Sequence, residues 1–215
     1  MKAMIFAAGV GSRLRPLTDT TPKALIEVGG KTMLERVAAR LRAAGASDII
    51  VNTHHLADKV QAEAARLGLA VSHEPALLDT GGGLKKAAPF FDDGKPFLVH
   101  NVDVLSDLDL RALYAAHRGL ATLAVRDRAT SRALVFKDGR LVGREGEGEK
   151  LGFDGVHVVS PELLGRLTET GAFSLTQSYL RLAAEGAEIT CFRSDKWTWL
   201  DIGTPEKLEK ARSLA

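Results

Sequence analysis

Short apolar runs of strand length alternate along the chain with segments whose apolar residues recur every three to four positions. Residues 2–8 predict a buried strand, and a polar loop carrying Gly and Pro follows to about Gly30. Thr32 with Glu35 three positions later reads as a capping box. Behind it Leu34, Val37, Ala38 and Leu41 recur at helical spacing, and Gly45 ends the helix. The same reading predicts strands at 48–52, 69–73 and 96–101 and helices at 56–67 and 110–117, with a Gly-rich start and a short helix across 81–90.

The second half is less regular. Strands are predicted at 120–125 and 153–159. A hairpin is predicted where 133–136 and 141–144 flank Lys137-Asp138-Gly139-Arg140. Ser174 with Gln177 reads as a second capping box for a helix that Gly186 closes. Two more strands, 189–193 and 197–202, lead to a last helix with Thr204 as N-cap and Pro205 at its first position. Strands alternating with helices of this length predict an α/β three-layer sandwich, a mainly parallel mixed sheet with helices on both faces. No linker divides the chain, so residues 1–215 are expected to form one domain, with halves of about 1–118 and 119–215. The stretch Glu145-Gly146-Glu147-Gly148-Glu149 is expected to be a solvated loop.

Composition narrows the function. Of 215 residues, 45% are hydrophobic and 26% charged, ordinary for a globular chain. Lys and Arg total 29 and Asp and Glu 27, so the net charge is +2, far from the basic excess of a nucleic-acid binder. An anionic ligand must be captured by a few placed cations and backbone amides. Cys191 is the only cysteine, which rules out an internal disulfide. No apolar run reaches the roughly 20 residues that span a bilayer, and residues 1–10 lack a signal-peptide pattern. A cytoplasmic protein without nucleic-acid or membrane partners is expected; monomer and homodimer both stay open.

The chemistry concentrates in the loop after the first strand, Ala7-Ala8-Gly9-Val10-Gly11-Ser12-Arg13-Leu14-Arg15-Pro16-Leu17-Thr18. Glycines bring backbone amides close to a ligand, and oriented amides make an anion-binding concavity. Arg13 and Arg15 suit phosphate through bidentate guanidinium contacts. Neither familiar phosphate loop fits: the third glycine of the dinucleotide fingerprint is replaced by Leu14, and no G-x-x-x-x-G-K-[ST] string occurs. The string AAGVGSRLRPLT, followed by Pro22-Lys23-Ala24-Leu25, instead resembles the signature of sugar-1-phosphate nucleotidyltransferases, the NDP-sugar pyrophosphorylases. Within that family it is most similar to the short N-acetylmuramate-1-phosphate uridylyltransferase and mannose-1-phosphate guanylyltransferase types. The resemblance implies a Rossmann-like nucleotidyltransferase fold. It also implies a loop in which Ala8, Gly9, Gly11, Ser12 and Arg13 wrap the nucleotide, with Lys23 neutralising phosphate at the reacting centre.

Two aspartates stand at strand ends. Asp103 follows the apolar run 97–102, and Asp201 lies in Trp199-Leu200-Asp201-Ile202-Gly203-Thr204-Pro205 before a capped helix. Carboxylates in such places meet ligands at the C-terminal edge of an open sheet. Their distance in sequence says nothing about convergence. The resemblance implies it: Asp103 and Asp201 would hold Mg2+ together with substrate phosphates. Val102 departs from the Gly or Ala of many relatives, but its side chain should point away from Asp103. Asp107 and Asp109 are expected to begin the next helix.

The resemblance further implies that Asn101 touches the nucleotide, that the Gly-rich segment with Gly81 and Gly82 lies against the base, and that Asp154 and Gly155 meet the sugar. A solvent-facing strand residue is an equal reading of Asp154. His54 and His55 are adjacent and read as loop-edge residues, and Trp197 and Trp199 as packing residues. No Ser-His-Asp or Cys-His set suggests covalent catalysis. The expected reaction joins an NTP, UTP first, to a sugar-1-phosphate such as N-acetylmuramate-1-phosphate, a cell-wall precursor, and releases pyrophosphate. Alternatives are GTP with mannose-1-phosphate, CTP with phosphocholine or a phosphonate, or a non-catalytic nucleotide-sensing subunit. A dinucleotide-dependent dehydrogenase is disfavoured by the failed fingerprint. No hexapeptide repeat follows, so a fused acyltransferase is not expected.

Overall fold

Alternate side chains of the first strand, β1 (Lys2–Phe6), enter two different cores: Ala3 and Ile5 pack into one, Met4 and Phe6 into the other. A strand covered on both faces reads as a continuous apolar run, which is why residues 2–8 signal so strongly. The strand ends two residues earlier than that run, at Phe6, where the Gly-rich loop takes over. The computed structural model describes residues 1–214.

After β1 come α1 (Leu17–Thr20) and the short strands β2 (Glu27–Val28) and β3 (Lys31–Thr32), which pair only with each other. Next are α2 (Met33–Ala43), β4 (Asp48–Thr53), α3 (Ala57–Arg66), β5 (Ala70–His73), α4 (Asp79–Ala87) and β6 (Phe97–Asn101). Strand β7 (Val104–Ser106) precedes α5 (Leu110–Ala115), β8 (Ala121–Arg126), β9 (Leu134–Lys137), β10 (Arg140–Gly143) and the long β11 (Glu149–Val159). The chain finishes with α6 (Glu162–Arg166), α7 (Leu175–Ala184), β12 (Ile189–Arg193), β13 (Trp199–Asp201) and α8 (Pro205–Ser213).

Nine strands form one mixed sheet in the order β5-β4-β1-β6-β11-β8-β12-β10-β9. The first four are parallel; β11 runs antiparallel to both β6 and β8, and β12 is parallel to β8. Residues from α2, α3, α5 and α8 bury against one face, and residues from α4, α6 and α7 against the other. The expected α/β three-layer architecture is what forms. No described helix is long and apolar enough to cross a membrane.

Local signals mostly act as read. The Thr32 side chain accepts from the Glu35 N–H at 3.0 Å, and Thr204 accepts from Lys207 N–H at 3.4 Å. Ser174 departs from expectation: its side chain makes no capping bond, the Gln177 N–H donates to the Ser174 carbonyl at 3.0 Å, and Thr80 Oγ1 on α4 accepts the Leu175 N–H at 3.0 Å. Trp197 stands in a turn, so the strand expected over 197–202 is only Trp199–Asp201, and it pairs with β7 outside the main sheet. Asp109 caps α5 as expected, but Asp107 accepts the Thr198 N–H at 2.7 Å. The acidic stretch 145–149 is exposed throughout, with Glu149 already opening β11.

Candidate active site

Strands β4 and β5 lie on one side of β1 and β6 lies on the other, so the loops after β1 and β6 leave from adjoining C-terminal ends. That reversal of strand order opens a crevice in an α/β sheet. The Val102 N–H donates to Phe6 O at 3.0 Å and joins the two loops at their roots. Val102 itself is buried in the core, turned away from Asp103 as expected. The Gly-rich loop is anchored from beneath: Ala7 N–H donates to Asn52 Oδ1 at 2.7 Å, and Asn52 Nδ2 donates to Glu74 Oε1 at 2.8 Å. The Leu78 N–H donates to the other Glu74 oxygen at 3.0 Å. Asn52 and Glu74 are 2% and 0% exposed, so this network fixes the ends of β1, β4 and β5 relative to the start of α4. Gly11 adopts φ +68°, which turns the loop into the single 3-10 turn Ser12–Leu14 and leaves Arg13 exposed at its tip.

The two distant aspartates meet across the small β7–β13 ladder. Asp201 lies opposite Val104, and the Ile202 N–H donates to Asp103 O at 2.9 Å. Each carboxylate holds an ammonium: Lys23 Nζ lies 2.6 Å from Asp103 Oδ2, and Lys207 contacts Asp201 Oδ2. Burial alone would raise the Asp201 pKa. The Lys207 bond, the Gly203 N–H, and the charges of Lys207 and Lys23 outweigh it and hold the carboxyl below its ordinary range. Arg13 joins this group, since a Cβ on Gly203 would lie 2.6 Å from Asp201 Oδ1 and 2.9 Å from Arg13 Nη2. Asn101, Asp103 and Asp201 line a cleft of about 740 Å3, and a second cavity of about 430 Å3 adjoins it at Asp79, Thr80, Asn101 and Asp103. Among the described residues no three His, Cys, Asp or Glu side chains are arranged to hold a metal ion. Two neighbouring carboxylates on a cleft wall fit a hard divalent ion that completes its shell with substrate oxygens and water, provided Lys23 and Lys207 turn from them toward phosphate.

A family model described as nucleotidyl transferase matches residues 2–131, more than half of the chain. The chain belongs to that family. The N-acetylmuramate alpha-1-phosphate uridylyltransferase of Neisseria meningitidis serogroup B is 35% identical over 233 residues, covering 100% of this chain and 98% of the relative. A uridylyltransferase of the same name from Caulobacter vibrioides is 34% identical, covering 99% of this chain and 96% of its own length. The fold matches a crystal structure of HddC from Yersinia pseudotuberculosis complexed with GMP-PN at a TM-score of 0.81, with 22% identity over 99% of this chain and 98% of that one. The enzyme is thus a nucleotidyltransferase of the sugar-1-phosphate group.

The transferase places its expected site residues unevenly around this cleft. Ala8, Gly9, Gly11, Lys23, Asn101 and Asp103 line the smaller cavity, while Arg13, Asp154, Gly155 and Asp201 line the larger, which Asn101 and Asp103 share. Ser12 is exposed on the turn and lines neither. Gly81 and Gly82 are buried inside α4, which begins two residues earlier than expected. They are glycines because α4 presses on the 171–173 segment: a Cβ on Gly81 would meet the Phe173 ring at 2.2 Å, and one on Gly82 would meet Gly171 O at 2.6 Å. Asp79 and Thr80 form the cleft wall there instead.

Asp154 lines the larger cavity, but its carboxylate is not solvent-facing and is held by protein groups. It is 2% exposed, and both its oxygens lie 3.0 Å from Arg126 Nε while Ser194 Oγ donates at 2.6 Å. Burial nevertheless raises its pKa, with Ser194 and Arg126 opposing. Asp154 therefore ties β11 to Arg126 of β8 and to Ser194, and the Trp199 indole N–H donates to its carbonyl at 2.9 Å. Trp199 also carries the Arg128 guanidinium 4.5 Å above its ring, on the cleft wall, while Trp197 stacks on Phe192. His54 and His55 hold loop edges, bonded to Glu74 O and Thr18 O at 2.9 and 2.8 Å.

Sequence reasoning missed Asn52, Glu74, Thr80, Arg128 and Lys207. Two left a signal. Asn52 and Thr53 are buried polar residues directly after the apolar run Ile49-Ile50-Val51, and Lys207 places a cation in the first helical turn, where the helix dipole disfavours it.

Proposed function

We propose that this enzyme transfers a uridylyl group from UTP to an amino-sugar 1-phosphate of the N-acetylmuramate-1-phosphate type and releases pyrophosphate. The convergence of Arg13, Lys23, Asp103 and Asp201 on one cleft carries the reading, and two relatives of that named activity at 34–35% identity support the choice of substrates. The loop amides from Ala8 to Gly11 and the Lys23 ammonium hold the triphosphate at the smaller cavity, beside the β1–β6 switch point, and Arg13 flanks it from the adjoining larger cavity. The acceptor lies in the larger cavity, with its phosphate toward Asp103 and Asp201.

An acceptor phosphate oxygen attacks the α-phosphorus in line. A new P–O bond forms while the bond to the pyrophosphate oxygen breaks. The nucleophile is already anionic, so no side chain has to remove a proton, and catalysis rests on positioning and charge stabilisation. Lys23 offsets charge at the α-phosphate, and Arg13, at the loop tip, takes the departing pyrophosphate through its guanidinium fork. Asp103 and Asp201 would hold Mg2+, which neutralises and orients phosphate oxygens when bound. Pyrophosphate release from UTP, GTP, CTP and ATP, each against N-acetylmuramate-1-phosphate, mannose-1-phosphate and phosphocholine, tests the proposal. Turnover concentrated in the UTP and N-acetylmuramate-1-phosphate pair supports it. Exclusive turnover of GTP with mannose-1-phosphate, or of CTP with phosphocholine, overturns the choice of substrates, and no pyrophosphate from any pair overturns the activity.

A further inference from the structure

The larger cavity is lined by residues of β11 and α7 as well as by the carboxylate pair, and two of them carry polar atoms that nothing among the described residues satisfies. His157 on β11 is 1% exposed and Tyr179 on α7 0%, and among the described residues neither the His157 ring nitrogens nor the Tyr179 hydroxyl has a hydrogen-bond partner. The two rings meet edge to face with centroids 5.8 Å apart, and both residues line the cavity. Buried polar groups are nearly always hydrogen-bonded, and two left unsatisfied side by side in residues that line a cavity point to a ligand as the missing partner. Phe153, Leu134 and Leu175 form the apolar part of the same wall. Burial pushes the His157 pKa down to about 3, so the ring is neutral and offers one donor and one acceptor.

We infer that His157 and Tyr179 are specificity-determining contacts that read an acylamino substituent on the acceptor sugar. An amide presents one carbonyl acceptor, one N–H donor and a methyl group. That matches a hydroxyl, a neutral imidazole and an apolar wall. A carboxylate has no donor for the acceptor nitrogen of the imidazole, and a bare hydroxyl would leave the apolar wall uncovered. The inference rests on the acceptor being an amino-sugar 1-phosphate, as proposed above, and adds the residues that recognise its acyl group.

The test compares the parent enzyme with Tyr179→Phe and His157→Phe on two acceptors, N-acetylmuramate-1-phosphate and its N-deacetylated analogue, with UTP. The parent is expected to prefer the acetylated acceptor. Both variants are expected to lose about tenfold of that preference in kcat/KM, with the KM for UTP unchanged. Because the Tyr179 hydroxyl has no partner among the described residues, Tyr179→Phe is expected to leave the melting temperature unchanged or raise it. Variants that keep the parent's preference overturn the inference alone, as does a lowered melting temperature in Tyr179→Phe with unaltered kinetics. A parent that turns over neither acceptor overturns the inference together with the proposed function.

Discussion

The buried histidines make stability acid-sensitive in a way that can be worked out from the structure. His157 packs between Phe153 and Tyr179, with ring centroids 5.3 and 5.8 Å away, and burial lowers its pKa from 6.5 to about 3. His100 on β6 is 1% exposed, and burial, only partly offset by its 2.7 Å contact with Asn101 O, lowers its pKa from 6.5 to about 4. Both folded-state values lie below the unfolded one. Between pH 6.5 and those values the unfolded chain binds more protons than the native state. The native state therefore has its full stability above that window and loses it as the pH falls. At about pH 5 each unfolded imidazole is largely protonated and each folded one is not, which costs about 2 kcal/mol per residue and about 4 kcal/mol for the pair.

His157→Phe isolates one of the two, since among the described residues no hydrogen bond is lost with the ring nitrogens. Urea unfolding at about pH 7.5 and about pH 5, for the parent and the variant, gives the acid-induced loss in each. Any fixed packing cost of the phenyl ring cancels in that difference. The variant is expected to lose about 2 kcal/mol less on acidification than the parent. Equal losses in both proteins would refute the argument that burial holds His157 neutral.

Asn52→Leu removes the acceptor for the Ala7 N–H and the donor to Glu74, and is expected to cost about 2–5 kcal/mol. At about 2–4 °C per kcal/mol this lowers the melting temperature by roughly 5–20 °C; calorimetry checks it, and a raised KM for the NTP should accompany it. Gly155 has φ +77°, and a Cβ there would lie 2.5 Å from Asn101 Nδ2. Gly155→Ala is therefore expected to displace Asn101 and to lower kcat/KM about tenfold, equivalent to about 1.4 kcal/mol, in steady-state kinetics. Lys23→Met removes the ammonium 2.6 Å from Asp103 and is expected to lower kcat by about 10²–10³, read as pyrophosphate release, with the circular dichroism spectrum unchanged.

The parallel half of the sheet was legible because β1, β4 and β6 are covered on both faces and appear as apolar runs. The helices were legible where a cap and a periodic stripe coincide, as at Thr32 and α2. The acceptor half gave less. The bond that caps α7 comes from Thr80, nearly a hundred residues earlier, and β13 leaves the main sheet to pair with a three-residue strand. Both facts depend on tertiary packing that local pattern does not carry. Within the cleft, the loop from Ala8 to Arg13 with Lys23 could be recognised as a motif, whereas Gly81, Gly82 and Asp154 took their positions from long-range contacts. The 171–173 segment forces glycine into α4, and Arg126 with Ser194 holds the Asp154 carboxylate. His157 lay in plain view as a lone imidazole in an apolar strand, but its meaning depends on Tyr179 from α7.

The central claim is that Asp103 and Asp201, adjacent across the β7–β13 ladder, act as one unit in the transfer reaction. A double-mutant cycle of Asp103→Asn and Asp201→Asn tests it, with pyrophosphate release measured at saturating NTP, acceptor and magnesium. Each single variant should lose on the order of a thousandfold in turnover, about 4 kcal/mol, and the double variant should be little worse than either. Near-parent turnover in either single variant, or losses that simply multiply in the double, would contradict it.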